Sequence, residues 1–232
     1  MRKELRRKEI VFIILFVVYS IFSMYVYNKT KVFIHRAMIW NIMLATLPLF
    51  FSSLFLSMVK QKKTVPMIVC FICWLLLFPN VAYLITDFIH ITPLTFYEFS
   101  SQGSFYVRDI WVWIELLHIG CGVLIGFFAG YRSLYHIQLY VKDKYNSWIS
   151  WGMVAVVSLL SGFGVFLGRF LRLNSWDVLK PMSLINEVYE NIELSFSIPF
   201  SFIMAIFIVI TYTLFYLCSD HKENYDEKTI CE

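Results

Sequence analysis

Two acid and histidine pairs stand out in a chain that is otherwise mostly apolar. Asp87-x-x-His90 and Glu115-x-x-His118 each set a carboxylate and an imidazole three residues apart, so each pair shares a face wherever the backbone is helical. That spacing recurs in the carboxylate and histidine metal sites of helical bundles. With Asp109 it defines a candidate divalent-metal set of Asp87, His90, Asp109, Glu115 and His118. A plainer reading makes Asp87 and His90 a solvated pair and Glu115 a neutral acid hydrogen-bonded to a histidine. A third makes Glu115 and His118 a proton relay of a small-solute transporter. No H-E-x-x-H, phosphate-binding glycine loop or Gly-x-Ser-x-Gly elbow occurs, so no residue is assigned a catalytic role.

A second group is basic and amide-rich. In GRFLRLNSWD, Arg169 and Arg172 lie three apart and are followed by Asn174 and Asp177. Such arginines either snorkel to lipid headgroups or clamp a phosphate or carboxylate in bidentate fashion. Upstream, in FPNVAYLITDFIH, Pro79 removes a backbone donor and disturbs the bond that would reach Leu75. Asn80 can supply a replacement partner. The stretch is then either a kink with local compensation or a broken helix lining a polar cavity. The candidate anion-binding set is Asn80, Asp87, Asp109, Arg169, Arg172, Asn174 and Asp177.

The elements that must position these groups are set by composition. Of 232 residues 59% are hydrophobic and 16% charged, against about 25% charged in an ordinary soluble domain. Six apolar runs, about 10–27, 37–59, 65–85, 110–131, 148–168 and 198–217, approach or exceed the roughly 20 residues a helix needs to cross hydrocarbon. Continuous runs of that length exclude barrel strands, because lipid offers no partner for an unpaired backbone. The expected fold is all-α, one integral membrane domain over 1–232 that crosses the bilayer six times and ends in a cytoplasmic tail, 218–232. Between the last two runs, Leu184, Ile185, Val188, Tyr189 and Ile192 share a face, which predicts a short interfacial helix.

Lys and Arg fall on alternate sides of these runs as thirteen against seven, and the richer side carries both termini. By the positive-inside rule both termini are cytoplasmic. These charges form short clusters between runs and no continuous basic stripe, which argues against a nucleic-acid partner and for the lipid bilayer. Counting about 1.5 Å per residue from Asp109, Glu115 lies about 9 Å and His118 about 13 Å into the membrane, where an ionisable group needs a partner. Thr64 before Pro66 and Ser197 before Pro199 read as helix caps. Gly122, Gly126 and Gly130, with Gly164 and Gly168, predict close packing of the fourth and fifth spans. Cys70, Cys73 and Cys121 read as apolar filler, and Cys218 and Cys231 sit at or beyond the last span.

FPNVAYLITDFIH, Asp109, Gly126 with Ser133 and Leu134, and GRFLRLNSWD together resemble the bacterial membrane-protein family catalogued as domain of unknown function 1361. There the corresponding stretches read roughly LPNAPYIVTDLIHL, a WYDL-like segment and GRFLRWNSWD. The resemblance covers about Leu76 to Leu179. Val81 and Ala82 stand where the family often has Ala and Pro, and Arg108 where Tyr is usual. The resemblance implies a bacterial plasma-membrane location and brings no established activity. If the third, fourth and fifth spans pack together, the anion-binding set converges on one outward-facing polar pocket above Glu115 and His118. Its expected occupant is an anionic lipid headgroup or envelope precursor.

Overall fold

The computed structural model describes residues 2–101 and 103–230, with side chains for 10–99, 101, 103–177 and 180–219. The chain is helical apart from one small hairpin. In order it forms α1 (Arg2–Thr30), α2 (Phe33–Lys60), α3 (Thr64–Leu77), α4 (Pro79–Tyr83) and a 3₁₀ segment (Leu84–Ile91). Then come β1 (Tyr97–Ser100), β2 (Gly103–Tyr106), α5 (Ile110–Lys144), α6 (Ser147–Phe170), a 3₁₀ segment (Ser175–Leu179), α7 (Pro181–Asn191) and α8 (Leu194–Ile230). Among the described residues six stretches are long and apolar enough to cross a membrane, as the six runs predict. The short helix expected before the last of them is α7. On it Ile185 and Tyr189 are exposed, and none of its residues is buried.

Helices α5 and α8 outrun their apolar stretches. Neither Gly nor Pro interrupts 131–144 or 218–230, so nothing stops the helix where the hydrophobic pattern ends. A fresh start for α6 comes from Asn146, whose side chain accepts from the Ile149 N–H at 2.8 Å.

Two expected caps are corrected. Thr64 is the first residue of α3 and not its cap, and Lys63 before it makes no side-chain capping bond. Helix α8 begins upstream of Ser197, whose N–H already donates to Glu193 O at 2.8 Å. Membrane helices accommodate an interior proline where neighbouring protein groups re-satisfy the freed backbone, and Pro199 lies inside α8 and marks no boundary. Cys70, Cys73, Cys121 and Cys218 are free thiols, and Cys231 lies outside the described residues.

By internal contacts the chain divides into two compact units, Met1–Leu44 with Leu84–Phe127, and Ala45–Tyr83 with Phe128–Glu232. In the first unit α1, the start of α2, the 3₁₀ segment and the start of α5 bury Val26, Met38, Ile42, Leu84 and Ile119. Its β1 and β2 pair antiparallel with Tyr97 opposite Tyr106 and Ser100 opposite Gly103. Gly103 carries φ +123° in the turn, a conformation other residues rarely adopt. The polar, aromatic stretch between the third and fourth spans thus contains a hairpin.

In the second unit α6 packs on α8, and Gly162 is what permits it: a Cβ there would run into the Ser201 carbonyl oxygen. The glycines expected to join the fourth and fifth spans serve other neighbours. Gly122 faces Tyr19 and Met38 in the first unit, Gly130 faces Val81, and a Cβ on Gly164 would stand 2.7 Å from Pro79 Cγ. Small residues let backbones approach as expected, but the approaching elements are α1, α2 and the broken third span.

Candidate functional site

In the first unit the buried polar groups join into one string. His35 enters from the first turn of α2, Ser23 and Tyr19 from α1, Glu115 and His118 from α5. His35 Nε2 lies 2.9 Å from Glu115 Oε2, and His35 Nδ1 lies 3.0 Å from His118 Nδ1. His118 Nε2 is 3.0 Å from Ser23 Oγ, and the Ser23 hydroxyl donates to the His35 carbonyl oxygen. Tyr19 stacks on the His118 ring, centroids 4.9 Å apart, while its hydroxyl donates to His118 O at 3.2 Å. Gly122 makes that reach available, since a Cβ there would come within 3.0 Å of Tyr19 Cζ. Ser23, His35 and His118 have no exposed surface, whereas the Glu115 side chain keeps 10%. In a low-dielectric interior such a network holds together only when its members satisfy one another.

The remaining first-unit candidates take separate places. Asp87 is buried and accepts from Asn41 Nδ2 at 2.8 Å. His90 is exposed, so Asp87 and His90 differ in burial although three residues apart; the 3₁₀ path of Leu84–Ile91 carries them. Asp109 is exposed and caps α5, its Oδ1 accepting from the Trp111 N–H at 2.9 Å. Glu115 and His118 share a face as predicted but meet through His35. Among the described residues no three His, Cys, Asp or Glu side chains come together as a metal would need.

The second unit holds the other candidates at the break in the third span. Pro79 ends the α3 ladder, and Val81 N–H turns back to Phe78 O at 3.0 Å. Two carbonyls there find side-chain partners: Asn80 Nδ2 donates to Leu77 O at 2.8 Å, and Ser175 Oγ to Leu76 O at 3.1 Å. Asn80 also reaches Ser175 Oγ at 3.3 Å, tying the broken span to the segment after α6. Asn80 thus supplies a backbone partner at the break, at Leu77 and not at Leu75, with Ser175 as an unforeseen second member. Arg169 places its guanidinium carbon 4.0 Å above the Tyr83 ring. Arg172 is exposed and left-handed, φ +58°, where α6 ends. Asp177 Oδ2 accepts from the Asn174 N–H at 2.6 Å and so closes the turn that follows.

Sequence reasoning missed His35, Ser23, Tyr19, Asn41 and Tyr83. His35 stood outside the run begun at Ala37; the usable signal was an ionisable residue within one turn of a membrane helix. Tyr83 and Ser175 reach their partners across long stretches of chain, a pairing with no local signature.

Six apolar spans with their polar groups turned inward define a multi-pass α-helical membrane protein. The chain belongs to the family described as Protein of unknown function (DUF1361), whose model matches residues 40–213. No curated protein and no solved structure matches it significantly. The matched stretch includes every residue of the anion-binding set and leaves Tyr19, Ser23 and His35 before it.

Proposed function

We propose that this is a bacterial plasma-membrane protein, one integral domain with both termini and the 218–232 tail cytoplasmic, that binds an anionic lipid headgroup or envelope precursor at the outer end of α6. The observation that carries the reading is Arg169 stacked on Tyr83. Stacking orients a guanidinium by its face, and the fork of donors in its plane matches a phosphate or carboxylate. Arg172 follows at the same boundary as an exposed cation. Asn80 and Ser175 fix the broken span beside it, while Asn174 and Asp177 hold the turn that presents it. The Lys and Arg count, thirteen against seven, supports the orientation.

A metal-dependent enzyme is the weaker reading, because among the described residues no three His, Cys, Asp or Glu side chains are arranged to hold one ion: His35, Glu115 and His118 bond to one another in a string. Lipids that co-purify with the full chain, identified by native mass spectrometry, test the anion reading. Replacing Arg169 and Arg172 together by alanine removes two charge-assisted contacts of about 1.5–3 kcal/mol each, so anionic lipid retention falls at least tenfold. Unchanged retention in a folded double variant overturns the proposal.

A further inference from the structure

The string from Ser23 to Glu115 has its proton count fixed by one group that cannot donate. The His35 carbonyl oxygen only accepts, so the Ser23 hydroxyl spends its proton there. Ser23 Oγ must then accept, which places a proton on His118 Nε2. Between the two Nδ1 atoms, 3.0 Å apart, two bare lone pairs would repel, so one proton lies there as well. By the same argument a third lies between His35 Nε2 and Glu115 Oε2, 2.9 Å apart. Three protons on two imidazoles and a carboxyl make the set neutral, and a neutral set is what burial away from water favours.

The third proton has three addresses. It leaves Glu115 a neutral acid, or makes His35 an imidazolium, or, if the shared Nδ1 proton shifts, makes His118 one. Every contact keeps its hydrogen bond in each case, and no atom moves between partners except hydrogen. Removing that proton altogether leaves a net negative charge inside the bundle: a bare nitrogen facing a carboxylate oxygen repels more strongly than two bare nitrogens do, so His35 Nε2 keeps its proton toward Glu115 and the two Nδ1 atoms are left bare. We propose that Glu115, His35 and His118 form a binding site for a single proton, loaded through Glu115. Glu115 is the entry because it ends the string and, unlike Ser23, His35 and His118, its side chain retains exposure. Facing groups are Tyr19 on α1, stacked on His118, and Cys121 of α5 and Asp87 of the 3₁₀ segment, both acting electrostatically on Tyr19. Asp87 is engaged by Asn41 from α2. Neither this reading nor anion recognition at α6 requires the other.

Histidine ¹⁵N spectra of the full-length protein in lipid nanodiscs, from neutral to alkaline pH, test it. In the wild type His118 is expected as the Nε2–H form, with a coupling across a hydrogen shared by the two Nδ1 atoms that disappears on alkalinisation. Glu115→Gln imitates the loaded site, because its amide can donate to His35 Nε2, and should keep that coupling at all pH values. Two Nε2–H rings without a shared hydrogen at neutral pH, or a wild-type coupling indifferent to alkali, overturn the proposal. Both results come from the wild type, so a variant that fails to fold leaves the test intact.

Discussion

At the scale of single residues, Arg172 separates backbone from charge. A non-glycine residue in the left-handed region costs roughly 1–2 kcal/mol, and at φ +58° Arg172 occupies it where helices usually place glycine. Arg172→Gly relieves that cost, offset by about 0.5–1 kcal/mol from glycine's greater freedom in the unfolded chain. The variant is expected to melt at the same temperature or slightly higher while losing anionic lipid. A lower melting temperature would mean the side chain itself holds the helix end. Glu115 and His118 were legible as a pair because an acid and an imidazole inside an apolar run are conspicuous. The histidine that joins them was not, because hydrophobicity located the start of the second helix at Ala37 whereas hydrogen bonding starts it at Phe33.

At the scale of elements, the six spans were readable because a backbone in lipid has so few ways to satisfy itself. Their ends were less so, since α5 and α8 continue through polar sequence that no breaker interrupts. Which helices the glycines unite was not readable either: a small residue announces a close approach and not the element that makes it. Gly162 and Gly152 of α6 give a paired test. Gly162→Ala sets a methyl against the Ser201 carbonyl oxygen, whereas Gly152 has open space. Overpacking of this kind costs about 1–3 kcal/mol, and Gly152→Ala is neutral or gains up to about 1 kcal/mol of helix propensity. Thermal unfolding in detergent should lower the midpoint for the first variant alone. Equal effects would show that α6 and α8 do not meet at this glycine.

At the scale of the whole molecule, orientation follows from charge. A green fluorescent protein fused after the last residue should fluoresce in bacterial cells, and a phosphatase fused there should be inactive, if the basic side faces the cytoplasm. An active phosphatase would invert the protein and put the end of α6 that carries Arg169 on the opposite face from the one proposed.

The interrupted third span has a mechanical corollary. Leu76 O and Leu77 O depend on side chains lying outside the helical ladder, one of them from beyond α6. Pulling Ser175 away would strand a carbonyl in hydrocarbon, a penalty the span escapes only by flexing at its joint. The stretch after α6 and the joint in the third span, ninety-nine residues apart in the chain, are therefore expected to shift together.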